Sequence, residues 1–257
     1  MHIIGVFSIK GGVGKTATAV NLSYLSSRGR FYTLLWDLDP QAASTFYFRM
    51  QAKVRGGISR LLDPEKPIEA RIKESEFPYL DLLPADASYR KLDLALDELI
   101  RPKTGLARVL KPLTADYDHI FLDCPPSLSL LSENIFRVAD VLLVPVIPTT
   151  LSQRTLDQLD TFCAKNRIKT KLMPFFSMVD RRKRLHRDVI DELRSQRTDL
   201  LKCEIPYAVA VEQMGVKQAP LPSYGRGTRA SESFERLWRE VRRNLRAMKA
   251  VETATLS

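Results

Sequence analysis

Short, almost uninterrupted apolar runs alternate along the chain with longer segments whose apolar residues return every three or four positions. His2–Ile9, Tyr32–Trp36, His119–Leu122 and Val141–Val146 are of the first kind, and Lys171–Ser177 and Leu201–Ile205 follow them. Such runs predict strands, and their near-continuous hydrophobicity predicts a sheet covered by helices on both faces. Ala17–Ser27 reads as a helix. Ser231–Met248 reads as another, with Phe234, Leu237, Trp238, Val241, Leu245 and Met248 on one apolar stripe. Strand–helix alternation predicts an α/β fold with a doubly wound, mostly parallel sheet. One domain is expected over 1–257, with a polar tail from about 250. Between 47 and 118, Pro64, Pro67, Pro78, Pro84 and Pro102 punctuate the chain, predicting surface loops, short helices and one edge strand at Tyr79–Leu83.

The first strand leads directly into Ser8-Ile9-Lys10-Gly11-Gly12-Val13-Gly14-Lys15-Thr16, and the first helix opens there, at Ala17. Glycines at a strand–helix junction let backbone N–H groups turn inward around phosphate oxygens, where the helix N-terminus adds positive potential. In such a loop Lys15 reaches the β- and γ-phosphates and the Thr16 hydroxyl ligates Mg²⁺. The usual first glycine would fall at position 9, which is Ile9, and a second lysine, Lys10, stands before Gly11.

This Lys-Gly-Gly-Val-Gly-Lys-Thr string resembles the deviant Walker A motif of the ParA/MinD family of P-loop ATPases. The resemblance implies ATP and Mg²⁺ as cofactors, with Gly11, Gly12, Val13, Gly14, Lys15, Thr16 and Ala17 around the nucleotide. It also implies a homodimer formed with ATP, a monomer without it, and a Lys10 that reaches the partner's phosphates. Trp36-Asp37-Leu38-Asp39-Pro40-Gln41 looks like the family's second motif. There Asp39 matches the carboxylate that orients the attacking water, and Asp37 lies near the Mg²⁺ shell. Ile120-Phe121-Leu122-Asp123 looks like Walker B, delivering Asp123 to the metal, and Pro125 to Ser132 looks like the switch segment that follows it. By the same analogy Met178, Pro206 and Tyr207 contact the adenine, although many relatives have arginine where this chain has Tyr207.

Charge adds a second theme. Forty Lys+Arg against thirty Asp+Glu give +10, a balance that attracts polyanions. The cations concentrate at Arg181, Arg182, Arg184 and Arg187, and along the last helix at Arg239, Arg242 and Arg246. Arginines on phosphates grip nucleic acid without reading sequence, so nonspecific DNA is the expected partner. An anionic membrane is the disfavoured alternative, because a stripe beginning at Phe234 suits a core helix. With only nine residues before Lys10, no N-terminal operator-reading domain is expected. No signal peptide or spanning segment is evident, and the odd set Cys124, Cys163 and Cys203 lacks metal-ligand spacing. Cys124 reads as a buried thiol and the compartment as cytoplasm, with the protein on the nucleoid.

The resemblance therefore implies an ATPase that segregates or positions a cargo (plasmid, chromosome region or protein assembly), with a ParB-like or other adaptor stimulating hydrolysis. A MinD-like membrane ATPase placing division or motility machinery is the alternative. A metabolic ATP-using enzyme of the superfamily would need a substrate pocket or cluster cysteines.

Overall fold

The computed structural model describes residues 1–63 and 65–256, with side chains to residue 250; Pro64, Ser257 and the side chains of the expected polar tail lie outside it. Eight strands form one sheet: β1 (His2–Val6), β2 (Thr33–Asp37), β3 (Lys73–Glu74), β4 (Leu80–Leu83), β5 (His119–Asp123), β6 (Val141–Val146), β7 (Lys171–Val179) and β8 (Glu204–Pro206). Their order is β3-β4-β2-β5-β1-β6-β7-β8, and only the β3–β4 pairing is antiparallel. The doubly wound α/β expectation holds.

Alternate strand residues feed two cores. Ile4, Val6, Leu35, Phe121, Leu143 and Phe175 pack on helix α1 (Lys15–Arg28) and on the last helix. Ile3, Leu34, Trp36, Ile120, Leu122 and Val144 face the other way. They meet Leu131 and Ile135 of α3 (Leu130–Val138), Leu156 of α4 (Ser152–Lys165) and Ile190 of α5 (Arg184–Gln196). Between α1 and α3 lies the short α2 (Ala43–Tyr47), and the last helix is α6 (Arg229–Leu256).

Helix α1 is enclosed on nearly every side, so its buried polar groups all need partners. Asn21 donates from Nδ2 to the Ala17 carbonyl and accepts the Leu221 N–H at Oδ1, and Ser26 Oγ bonds Thr33 Oγ1 and His119 Nδ1.

Several boundaries differ from expectation. The first strand stops at Val6, because Ser8–Lys10 must already turn into the loop. Leu201–Ile205 contributes only Glu204–Pro206, while β7 runs on to Val179 through an irregular register against β8. The strand at Leu80–Leu83 is not an edge, since β3 pairs outside it. Nor does 47–118 run only over the surface: Leu61, Leu92, Leu96, Leu106, Leu110 and Leu113 are buried in the core. Helix α6 begins earlier and ends later than the stripe marked out.

Candidate nucleotide site and cationic surfaces

Strand β1 delivers the glycine loop and α1 receives it. Gly12 and Gly14 hold φ of 72° and 92°, the left-handed region that a side chain would strain. A Cβ on Gly14 would also stand 3.0 Å from Ser177 Oγ. Lys15 is buried, and its Nζ donates to the Lys10 carbonyl at 3.3 Å. Burial lowers the Lys15 pKa, opposed by the charges of Asp123, Cys124 and Asp39. An ammonium folded back on its own loop, with no ion pair among the described residues, is poised for an anion. Lys10 is half-buried beside it, and Val13 packs inward.

Parallel pairing of β2 with β5 puts Asp37 opposite Asp123 at the carboxyl edge of the sheet, where open α/β sheets bind ligands. Both are buried, and burial first raises both pKa values; for Asp37 the neighbouring Asp123 charge adds to the rise. For Asp123 the Ser44 and Thr16 hydroxyls and the Lys15 charge pull the other way. Asp123 Oδ2 accepts from Ser44 Oγ at 2.7 Å, whereas Oδ1 is buried with no partner in hydrogen-bonding geometry among the described residues. An orphaned carboxylate oxygen beside the Thr16 hydroxyl fits a hard cation such as Mg²⁺.

Asp37, expected near the metal, stands beside Asp123 with both of its own oxygens engaged. Its Oδ2 accepts the Thr45 N–H and Oγ1 at 2.8 and 2.7 Å, and its Oδ1 accepts the Asp39 N–H at 3.2 Å. Those bonds shape the loop that presents Asp39, whose own Oδ1 accepts the Gln41 N–H at 2.9 Å.

A cavity of about 400 Å³ is lined by Gly11, Gly12, Gly14, Lys15, Thr16, Ala17 and Asp39 together with Met178, Pro206 and Tyr207. All of these were singled out in the sequence. Met178 sits at the β7 irregularity with φ 54°. The Tyr207 hydroxyl donates to Glu212. Pro126 of the expected switch segment and Ser177 beside Met178 also line it, as do Ala43, Tyr47, Val211 and Phe234, which the sequence did not mark as site residues. Ser177 and Phe234 stand in a strand and in the apolar stripe, where the pattern signals core and nothing more. Tyr47 follows the Asp39 motif closely enough for its position to have been a clue. Cys124 is fully buried, its thiol pushed well up by burial and bonded to the Leu122 carbonyl.

The expected DNA-contacting arginines divide. Arg181 grips Glu204 with both Nε and Nη2, and Arg194 pairs the same carboxylate at 2.9 Å. Arg182 pairs with Asp180 and Arg184 with Asp188. Arg181 and Arg239 share a groove of about 770 Å³ with Arg194, Arg229, Arg236 and Arg243. Arg242 and Arg246 line a separate depression of about 470 Å³. The cations of 181–187 and of α6 thus line two separate depressions.

A family model described as an AAA domain matches residues 1–176. The chain is 30% identical over 249 residues to the chromosome partitioning protein ParA of Myxococcus xanthus, covering 93% of this chain and 87% of that one. It is 30% identical over 253 residues to the sporulation initiation inhibitor protein Soj of Bacillus subtilis, covering 94% and 98%. Among solved structures, cobyrinic acid a,c-diamide synthase from Mycobacterium smegmatis with bound ATP analogue and magnesium superposes with a TM-score of 0.82 over 95% of each chain, at 23% identity. That likeness shows the fold alone, and the fold hosts different functions. The doubled-lysine loop, the paired carboxylates at the sheet edge and the partition-protein relatives converge: the chain belongs to the ParA/MinD family of P-loop ATPases.

Proposed function

We propose that the protein is a ParA-like positioning ATPase that closes an ATP-sandwich homodimer, binds DNA without sequence preference, and releases it on hydrolysis stimulated by an adaptor. The observation that carries the reading is the convergence of Lys15, Thr16 and Asp39 on one nucleotide-sized cavity, with the buried Asp123 carboxylate directly beside Thr16 and Lys15. The partition-protein relatives support the cargo role.

Phosphoryl transfer needs placement and charge compensation more than covalent chemistry. The loop N–H groups seat the phosphates, and Lys15 swings from the Lys10 carbonyl to their oxygens. Asp39 orients the attacking water, on a loop held by Asp37. Lys10 faces the partner's nucleotide. Thr16 and Asp123 would hold Mg²⁺, which neutralises charge developing on the phosphate oxygens. Among the described residues no cluster of three or more His, Cys, Asp or Glu forms a metal cage. That agrees with magnesium's habit of taking one or two protein ligands and completing its shell with phosphates and water.

The membrane alternative is weakened by α6 itself. Phe234, Leu237, Trp238, Val241 and Leu245 are each at most 4% exposed, so the stripe a membrane would take is spent on the core. No described helix is long and apolar enough to cross a membrane.

The test is ATP-dependent binding of random duplex against salt. Affinity should rise with ATP as a dimer doubles the contacts, and its log–log salt slope should be about −0.9 per phosphate neutralised. Alanine at Arg239 with Arg243, or at Arg242 with Arg246, should flatten that slope for the face that bears on DNA. Binding indifferent to salt and ATP, or pelleting with anionic vesicles but not with DNA, would refute the reading.

A further inference from the structure

The two cationic faces differ in what already answers their charge. In the larger groove Glu204 takes Arg181 and Arg194, and the Glu240 carboxylate accepts the Lys202 and Cys203 N–H groups. In the smaller depression, at the amino ends of β1, β2 and β5, Arg242 and Arg246 stand one turn apart on α6 with no ion pair among the described residues. The acidic groups nearby already have partners: Asp118 accepts the Tyr32 N–H at 2.9 Å, and Asp140 accepts the Ile3 N–H at 2.7 Å and stands 3.8 Å from His2 Nδ1. Arg242 is half-buried, and burial and the Arg246 charge both work against its protonated form.

That arrangement is also ordered in advance. The Arg242 guanidinium lies over the Phe31 ring, 4.7 Å from its centroid, a contact that fixes the group while leaving its N–H fork available. The His119 ring forms a wall, pinned at Nδ1 by Ser26 Oγ and met edge-on by Trp238 at 5.3 Å. Two like charges held together in a concavity, with no ion pair among the described residues, are stabilised by an anion between them. A dianion with several oxygens suits two arginine forks best. The site lies at the sheet end opposite the glycine loop, so it is no part of the nucleotide cavity.

We propose that Arg242 and Arg246, over the aromatic wall of Phe31 and His119, form a second anion pocket that seats one phosphate group, carried by a soluble phosphate or by a nucleic-acid backbone. With a nucleic-acid backbone as the source the pocket rests on the DNA reading and deepens it; with a soluble phosphate it stands apart from that reading.

The chain has three histidines. His2 and His119 line this pocket, whereas His186 sits on α5, accepting the Asp180 N–H at Nδ1. Ring signals of histidine-labelled protein therefore report the pocket with an internal control. Inorganic pyrophosphate is titrated into protein saturated with ADP, and again into Lys15→Ala without nucleotide, so that the glycine loop does not contribute. The His2 and His119 signals should move saturably in both samples while His186 stays. Arg246→Gln should weaken the response about tenfold, and Arg242→Gln with Arg246→Gln further still, on the scale of charge-assisted hydrogen bonds. An unmoved His186 signal verifies the fold of each variant. Shifts with pyrophosphate alone identify a soluble ligand, and shifts with a short duplex that pyrophosphate competes away identify the backbone. Absence of shift with either probe, duplex shifts that pyrophosphate leaves untouched, or an unchanged response in the double variant would overturn the proposal.

Discussion

Replacing Asp39 by alanine separates the chemistry from binding, because little of the site's architecture hangs on that side chain. Its Oδ1 accepts one turn hydrogen bond, from the Gln41 N–H at 2.9 Å, worth about 1 kcal/mol net. The loop itself is held through the backbone: Asp37 takes the Asp39 N–H and, at its other oxygen, both donors of Thr45. Those bonds survive the substitution. The glycine loop, Lys15 and Thr16 are untouched, so ATP affinity should stay within a few-fold. Turnover should not. A positioned carboxylate acting on the attacking water contributes about 10²–10⁴ in rate, roughly 3–5 kcal/mol of barrier. Phosphate release under single-turnover conditions measures the chemical step, fluorescent-nucleotide titration measures binding, and light scattering with ATP reports whether the stalled protein accumulates as a dimer. Turnover within tenfold of the parent would refute the role given to Asp39. A parallel loss of ATP affinity would show that the side chain builds the site and does not only work in it.

Thr45→Val is nearly isosteric, yet it removes a hydroxyl that donates to Asp37 and accepts the Ala85 N–H at 2.9 Å. Leaving that buried N–H and one lone pair of Asp37 unmatched should cost about 2–4 kcal/mol in urea unfolding, and a loss under 0.5 kcal/mol would argue against the clamp. His119 offers a pH test: burial, aided by His2, lowers its pKa from 6.5 to about 4. A histidine held neutral stabilises the fold fully above pH 6.5, and that stability drains away as pH falls toward 4, because only the unfolded chain takes up the proton. The span is worth about 3 kcal/mol, so His119→Gln should have a flatter stability profile between pH 4 and 6.5 than the parent, and parallel profiles would refute the assignment.

Strands were legible because a sheet covered on both faces leaves apolar runs in the sequence, and Val141–Val146 is a strand over the very residues expected. The stretch from 47 to 118 was not. Its buried leucines sit in helices of five or six residues, such as Gly57–Leu61, Leu92–Asp97 and Gly105–Leu110. Each gives the core two to four residues, too few to establish a period. The site divides the same way. Phosphate binding needs contiguous N–H groups from one loop, so Lys10 to Thr16 were readable at once. The rest of the cavity comes singly from distant elements, and Ser177 or Phe234 carries no mark of its neighbours.

Charge density in sequence is a poor guide to charge available in space. The run from Arg181 to Arg187 is the densest in cations, yet Arg181, Arg182 and Arg184 each face a carboxylate, and the Arg187 guanidinium caps the Arg181 carbonyl. Glu204 is over twenty positions from the arginine it holds, a proximity set only by β8 lying beside β7. On α6 the helical repeat does the opposite. At about 100° per residue, the buried stripe leaves Arg242 and Arg246 on one flank and turns Arg236 and Arg243 away toward the larger groove. Because the stripe is spent on the core, neither row can be moved without moving the helix. Phe234 belongs at once to that stripe and to the wall of the nucleotide cavity, so both cationic faces ride on an element the nucleotide site touches. Any movement of α6 with the nucleotide state would carry both cationic faces with it, and a polyanion bound there would be linked to that state.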